Sequence, residues 1–196
     1  MTVEHGPRSA LVVVDVQNDF ADPDGSLYVR DSAAAITAVN DAVAAAKSAG
    51  ALVVYTQDWH PPDTPHFAKD GGVWPVHCVA GTWGAQLHPD LAVEGDERIR
   101  KGSGGEDGYS GFTMADPETR TTSSTGLAEL LKERDVESVV VVGLATDYCV
   151  KATALDAVGL GFPTTVVAAA VRAVDVEAGD GDRALDEMRA AGVAVA

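Results

Sequence analysis

Cysteine, basic side chains and long apolar runs are all scarce in this chain of 196 residues. Two cysteines, Cys78 and Cys149, are too few for a disulfide scaffold, and they predict free thiols in a reducing cytoplasm. Fourteen basic residues stand against thirty acidic ones, and the resulting formal charge of −16 disfavours nucleic acid or an anionic membrane as a partner. No apolar run approaches the roughly 20 residues that cross a bilayer, and the first residues lack a basic leader before an apolar stretch. We therefore expect neither a membrane span nor a secretory signal.

Apolar β-branched segments alternate with alanine-rich segments of helical period. Continuous apolar runs at 10–16 and 138–143 predict strands that are buried on both faces. An apolar stripe from Ile36 to Ala46 predicts a helix over 32–48 that ends before Gly50. Further strands are predicted at 51–56, 97–101, 164–168 and 193–195, and further helices at 123–134, 147–158 and 182–191. This alternation predicts a three-layer α/β/α sandwich with a mostly parallel, Rossmann-like sheet, in a single domain over 1–196.

Chemically active side chains follow several of the predicted strands. Asp15 and Lys101 lie at the ends of two strands, and Cys149 lies about two residues into the predicted helix 147–158. Ligands of open parallel sheets bind at the carboxyl ends of the strands, so we expect these three side chains to meet. A helix start would lower the pKa of the Cys149 thiol and offer N–H groups to an oxyanion, while Asp15 could accept the thiol proton. Singly, each residue is more often a strand cap, a solvated amine or an inert thiol; together they predict a nucleophilic site.

A long irregular segment, 58–90, is enriched in histidine and tryptophan. It holds four of the five histidines, all three tryptophans and five of the nine prolines. Asp58 and His60 are two residues apart on an extended segment, so both side chains can reach one cation, and His66 and His77 follow. A mixed carboxylate and imidazole set suits zinc, iron or manganese. The alternative is a group of loop histidines that bond to backbone or water.

Six segments carry a family resemblance, in this order: VDVQNDF at 14–20, TQDWH at 56–60, WPVHC at 74–78, KG at 101–102, YSGF at 109–112 and GLATDYCV at 143–150. Together they resemble the nicotinamidases (pyrazinamidases) of the isochorismatase-like cysteine hydrolase superfamily. The resemblance covers nearly the whole chain. It implies an enzyme of NAD salvage that hydrolyses nicotinamide, and also pyrazinamide, through a cysteine thioester.

The resemblance also implies a role for each matching residue. It implies a catalytic triad of Asp15, Lys101 and Cys149, and an oxyanion hole formed by backbone N–H groups of Ala145 and Cys149. It implies one divalent transition-metal ion, with zinc as the leading candidate and iron or manganese as alternatives, held by Asp58, His60 and His77. His66 matches a further ligand of some members.

The remaining matches concern the substrate pocket. Phe20 and Trp74 match residues that sandwich the pyridine ring, and Tyr109 and Ala145 match other pocket positions. The Leu144–Ala145 bond matches a cis peptide bond. Tyr148 departs from the family pattern, since some relatives have histidine immediately before the nucleophile.

The sequence is also compatible with two other functions. Another amidase of the same superfamily would act on a carbamoyl or ureido substrate and would work without a transition metal. A non-catalytic metal-binding or redox-sensing protein would use the same Asp/His cluster and thiols, but it has no need for an acid and a lysine beside the thiol. The sequence does not decide between a monomer and a homo-oligomer.

Overall fold

The computed structural model describes residues 3–94 and 97–196. Its strands are β1 (Ser9–Val14), β2 (Leu52–Asp58), β3 (Glu97–Lys101), β4 (Thr113–Ala115), β5 (Thr122–Ser124), β6 (Ser138–Leu144), β7 (Thr164–Arg172) and β8 (Ala194–Val195). Its α-helices are α1 (Asn18–Ala21), α2 (Ser32–Ser48), α3 (Leu127–Glu133), α4 (Lys151–Gly159) and α5 (Asp180–Ala190). A short 3-10 helix (Ala68–Asp70) and a π-helical turn (Thr146–Val150) complete the regular structure of the described residues.

Six strands form a parallel sheet in the order β3-β2-β1-β6-β7-β8. The two remaining strands, β4 and β5, form a separate antiparallel pair. The predicted α/β/α architecture with a mostly parallel sheet is confirmed. Within the described part of the chain, no helix has the length and apolar character needed to cross a bilayer.

The alternation of side chains along β1 creates two separate apolar layers. Leu11 and Val13 belong to the layer that includes Val39 of α2, whereas Val12 and Val14 belong to the layer that includes residues of α3, α4 and α5. Every residue of β1 is buried, as the continuous apolar run predicts for a strand covered on both faces. The sheet therefore lies between two helical layers.

The order of the strands reverses between β1 and β6. From β1 the chain proceeds outward through β2 and β3, and it then returns to place β6 on the other side of β1 before continuing to β7 and β8. Loops that leave neighbouring strands in opposite directions open a crevice at the carboxyl ends of those strands, where open α/β sheets bind ligands. The segments after β1 and β6 contain Asp15 and Cys149.

Three predicted helices begin elsewhere than expected, and the one predicted over 182–191 starts two residues earlier, at Asp180. The helix predicted over 123–134 starts at Leu127, because residues 122–124 form β5 and pair with β4. The helix predicted over 147–158 starts one residue earlier and opens with the π-helical turn, so Cys149 lies in that turn and not in regular α-helix. Such π-helical turns occur frequently at functional sites.

Candidate active site

The ends of β1 and β3 and the turn after β6 bring Asp15, Lys101 and Cys149 into contact. The Lys101 ammonium lies 2.7 Å from Asp15 Oδ2 and 3.7 Å from Cys149 Sγ. One oxygen of Asp15, one oxygen of Asp58 and Cys149 Sγ lie within 4.8 Å of one another. All of these side chains are buried. The three residues predicted as a triad therefore share one buried cluster.

Asp15 is held in place by β2. The Thr56 hydroxyl donates a 2.7 Å hydrogen bond to Asp15 Oδ1, and the Asp15 backbone N–H donates back to the Thr56 hydroxyl oxygen over 3.2 Å. Burial raises the pKa of Asp15 to about 6, against the opposing effect of the Lys101 charge. A carboxyl group with this pKa can both accept and return a proton near neutral pH. Thr56 was not predicted as a site residue, although it opens the TQDWH segment.

Lys101, the last residue of β3, pairs with two carboxylates. Its ammonium lies 2.5 Å from Asp58 Oδ1 as well as beside Asp15, and it donates to the Gly108 carbonyl. Burial disfavours the ammonium, yet the two carboxylates raise the pKa of Lys101 well above its ordinary value. Lys101 therefore stays charged and offsets the negative charge of both acids.

The prediction that the helix start lowers the pKa of the Cys149 thiol is wrong. Burial raises the pKa of the Cys149 thiol well above its ordinary value, and Asp15 and Asp58 reinforce this effect against the opposing Lys101 charge. The thiol is therefore protonated in the resting site. It needs a proton acceptor before it can attack, and Asp15 is the neighbouring group able to serve.

Three histidines of the irregular segment form a second buried cluster. One ring nitrogen each from His60, His66 and His77 lie within 4.8 Å of one another. Asp58 Oδ2 lies 3.8 Å from His60 Nε2 and 3.9 Å from His77 Nε2. The structure thus brings all four predicted ligands together, His66 included.

The donor set fits a transition-metal ion. Both ring nitrogens of His60 are buried without a hydrogen-bond partner, which is costly unless another group engages them. His77 Nδ1 donates to the Pro75 carbonyl over 2.7 Å, and His66 Nδ1 lies 2.8 Å from Asp107 Oδ1, so each ring has Nε2 free for a ligand bond. Burial lowers the pKa of His77 to about 4 and also lowers that of His66, which favours the neutral imidazole that metals bind.

Glycine makes room for this cluster. Gly102 has φ of 73°, and a Cβ atom there would lie 2.5 Å from His60 Cε1. No larger residue fits without displacing the ring, since real Cβ contacts are never this short. The glycine-rich segment after Lys101 therefore packs its backbone directly against the histidine cluster.

Both clusters open into one pocket with an aromatic wall. Its lining includes the four residues predicted to contact substrate, namely Phe20, Trp74, Tyr109 and Ala145. The Trp74 indole N–H donates a 2.7 Å hydrogen bond to the Tyr109 hydroxyl, and Tyr148 packs edge-on to Trp74 with ring centroids 4.9 Å apart. The Leu144–Ala145 peptide bond is cis, as the family resemblance implied.

Several residues that shape the site were not predicted. Asp147 accepts hydrogen bonds from the backbone N–H groups of Val174 and Asp175, and it thereby fixes the segment that carries Val174 into the pocket lining. Gln17 bonds to both the backbone N–H and the carbonyl of Asp58. Gln17 lies in the VDVQNDF segment and Asp147 in the GLATDYCV segment, but the role of each depends on contacts between distant parts of the chain.

Known proteins resemble this chain in sequence and in fold. The Isochorismatase domain family model matches residues 9–196. The nicotinamidase/pyrazinamidase of Mycobacterium tuberculosis is 41% identical over 191 residues, which cover 94% of this chain and 96% of that protein.

Two solved structures superpose closely. PnC1 from L. infantum in complex with nicotinate has a TM-score of 0.90 and 34% identity, covering 100% of this chain and 96% of that one. The pyrazinamidase of Pyrococcus horikoshii in complex with zinc has a TM-score of 0.85 and 39% identity, covering 97% and 99%. The match of the family model to almost the whole chain, together with this common fold, shows that the chain belongs to the isochorismatase family.

Proposed function

We propose that this chain is a nicotinamidase of NAD salvage, which hydrolyses nicotinamide, and also pyrazinamide, to the corresponding acid and ammonia. One observation carries the proposal: the Asp15–Lys101–Cys149 cluster and the three-histidine cluster share Asp58 and face one aromatic-lined pocket. The relatives named nicotinamidase or pyrazinamidase support the same substrate class. Two free, buried thiols are compatible with a reducing cytoplasm, and the match over residues 9–196 supports a single domain.

The reaction begins with a proton transfer inside the buried cluster. Ionised Asp15 takes the proton of the Cys149 thiol, and the resulting thiolate attacks the carboxamide carbon of the substrate. Lys101 stays charged throughout and limits repulsion between the thiolate, Asp15 and Asp58. Backbone N–H groups of Ala145 and Cys149 hold the developing oxyanion, and each such donor is worth about 10²–10³ in rate at comparable sites.

The intermediate then breaks down in two steps. Protonated Asp15 gives its proton to the departing nitrogen, ammonia leaves, and a thioester of Cys149 remains. Water then donates a proton to Asp15 and attacks the thioester carbon, and Cys149 leaves as a thiolate that takes the proton back from Asp15. The products are ammonia and nicotinic acid, which ionises to nicotinate by losing its proton to solvent, and the enzyme returns to its starting protonation state.

Asp58, His60, His66 and His77 would hold the metal ion, and Phe20 and Trp74 would contact the flat faces of the ring. A bound zinc, iron or manganese ion supplies a Lewis-acid position that can accept the ring nitrogen of a pyridine or pyrazine. The aromatic wall excludes water from the ring and leaves the carboxamide beside Cys149.

Ammonia release separates this proposal from its rivals. We expect the purified protein to contain a transition metal by elemental analysis, to release ammonia from nicotinamide, and to lose this activity in chelator until metal is returned. The carbamoyl amidase would be established instead if the purified protein contains no transition metal, keeps full activity in chelator, and turns over an N-carbamoyl amino acid faster than nicotinamide. No turnover of any amide would favour the metal-binding or redox-sensing protein.

A further inference from the structure

The reaction described above makes no use of Asp107, although this residue contacts the histidine cluster. Asp107 Oδ1 lies 2.8 Å from His66 Nδ1, and the side chain of Asp107 is largely shielded from solvent. Asp107 lies on the segment between β3 and β4, whereas His66 lies on the segment between β2 and β3. This contact therefore joins two separate irregular segments at the pocket.

The chemistry of this contact determines which nitrogen of His66 is available. An ionised carboxylate only accepts hydrogen bonds, so His66 Nδ1 must carry a proton and donate it to Asp107. Nε2 of the same ring then has a free lone pair. His77 reaches the same tautomer through its hydrogen bond to the Pro75 carbonyl, a backbone group that no side-chain substitution removes.

Asp107 is itself held by the antiparallel pair β4–β5. The Asp107 backbone N–H donates to the Ala115 carbonyl over 2.7 Å, and the Ala115 N–H donates back over 2.9 Å. Arg120, in the turn between β4 and β5, lies 3.2 Å from Asp107 Oδ2. The second oxygen, Oδ1, thus remains directed at His66. This small hairpin lies outside the main sheet, and its contacts hold the Asp107 carboxylate beside the histidine cluster.

We propose that Asp107 is a positioning residue that fixes His66 as a metal ligand through Nε2. This inference rests on the proposed function, since it concerns the metal ion of that same site. Hydrogen-bond partners of this kind orient ligating imidazoles, and their loss typically weakens metal binding about 10- to 100-fold.

The test measures how fast zinc-loaded protein loses Zn²⁺ to an excess of chelator, with no substrate present. We expect Asp107→Ala to lose zinc about 10- to 100-fold faster than the unaltered chain. Asp107→Asn keeps a side-chain oxygen that accepts from His66 Nδ1, so it should retain zinc much longer than the alanine variant. Glu106→Ala removes a neighbouring carboxylate whose one hydrogen bond within residues 3–94 and 97–196 is accepted from the Gly104 backbone N–H, and it should match the unaltered chain.

Two results would overturn the inference. One is an Asp107→Ala variant that releases zinc at the rate of Glu106→Ala; the other is an Asp107→Asn variant that behaves like Asp107→Ala. If the alanine variant does not fold, ¹⁵N spectra of the histidines in the unaltered zinc-loaded protein decide the matter. The proposal requires a proton on His66 Nδ1, and a proton on Nε2 refutes it.

The zinc assay also distinguishes failure of this inference from failure of the proposed function. If all variants lose zinc at the same rate while ammonia release remains sensitive to chelator, then Asp107 does not position His66. The proposal that the chain is a nicotinamidase is unaffected by that result. If the unaltered chain binds no zinc and its ammonia release is insensitive to chelator, then both the proposed metal dependence and the proposed role of Asp107 are wrong.

Discussion

At the scale of single residues, Lys101 determines the electrostatics of the site. It is fully buried and lies within 2.7 Å of one oxygen on each of two buried aspartates. Charges removed from water are costly unless they are paired, and breaking a buried pair leaves an uncompensated charge. The cation therefore allows Asp58 to remain ionised, and its charge also opposes the rise in the pKa of Asp15.

Lys101→Met tests this role. We expect the free energy of unfolding to fall by about 3–5 kcal/mol, because Asp15 and Asp58 lose their shared partner in a buried environment. Chemical denaturation of the two proteins under identical metal conditions measures the change. Lys69→Met is the matched control, since Lys69 pairs with Asp63 and Asp70 at the surface, and we expect no measurable effect. Equal stability of Lys101→Met and Lys69→Met would contradict this view of the site.

Residue types and spacing predicted which side chains meet, but not their protonation. Asp15, Lys101 and Cys149 could be placed together because strand ends in a parallel sheet share one edge. The raised pKa of Cys149 could not be predicted, because it depends on burial and on the approach of Asp15 and Asp58 from other strands. Asp107 was missed for the same reason, since its contact with His66 spans 41 positions of sequence.

At the scale of elements, the end of β6 depends on a glycine. Gly143 pairs with Val14 across the sheet at a φ of 113°. A Cβ atom at this position would lie 2.1 Å from the Val14 carbonyl oxygen, which is backbone and cannot move aside. Glycine here lets β6 pass close to β1 just before the turn that carries Cys149.

Gly143→Ala should therefore lower the free energy of unfolding by more than a substitution whose only cost is an unfavourable φ angle. Gly192→Ala is the matched control: φ is 97° there, but apart from the two adjoining residues no described atom lies within 4 Å of the added Cβ, so we expect a cost of about 1–2 kcal/mol. Gly143→Ala adds a steric clash to this cost, and thermal or chemical unfolding should show a clearly larger loss. Equal losses at the two positions would show that the close approach to β1 is unimportant.

Elements with a strong apolar period were predicted best. Helix α2 has the predicted bounds, and its stripe residues Ile36, Val39, Val43 and Ala46 are all buried. The pair β4–β5 was missed because its strands have three residues each and no buried apolar face. Strand β7 extends to Arg172, beyond the predicted end, through a register shift opposite Val141 and Gly143 that no local pattern indicates.

At the scale of the whole molecule, the histidine cluster links the irregular segments to the sheet. Asp58 ends β2, while His66 and His77 lie within the segment that follows it. A ligand that binds only the folded chain stabilises it by mass action, by about 2.7 kcal/mol at 100 times its dissociation constant. A metal ion bound by these residues should therefore stabilise the fold as a whole.

Zinc should raise the melting temperature of the metal-free protein, and chelator should reverse this rise. His77→Ala should lose most of the shift, because it removes one of the ligands. His88→Ala is the matched control: His88 lies in the same irregular segment, is also buried, and faces Asp22 and not the histidine cluster. It should retain the full zinc-dependent shift even if its own stability is lower. Loss of the shift in both variants, or in neither, would contradict the assigned ligand set.

Replacing the nucleophile tests whether Cys149 forms the covalent intermediate of the reaction. Cys149 and Cys78 are both buried thiols with a raised pKa, but Cys149 lies beside Lys101 in the pocket, whereas the Cys78 sulfur faces the Gly84 carbonyl. The measurement is ammonia release from saturating nicotinamide by Cys149→Ala and Cys78→Ala at matched zinc content. We expect Cys149→Ala to lose at least about 10³-fold in kcat, because it removes the nucleophile, while Cys78→Ala retains activity. Full activity in Cys149→Ala, or its loss only in Cys78→Ala, would contradict this role of Cys149.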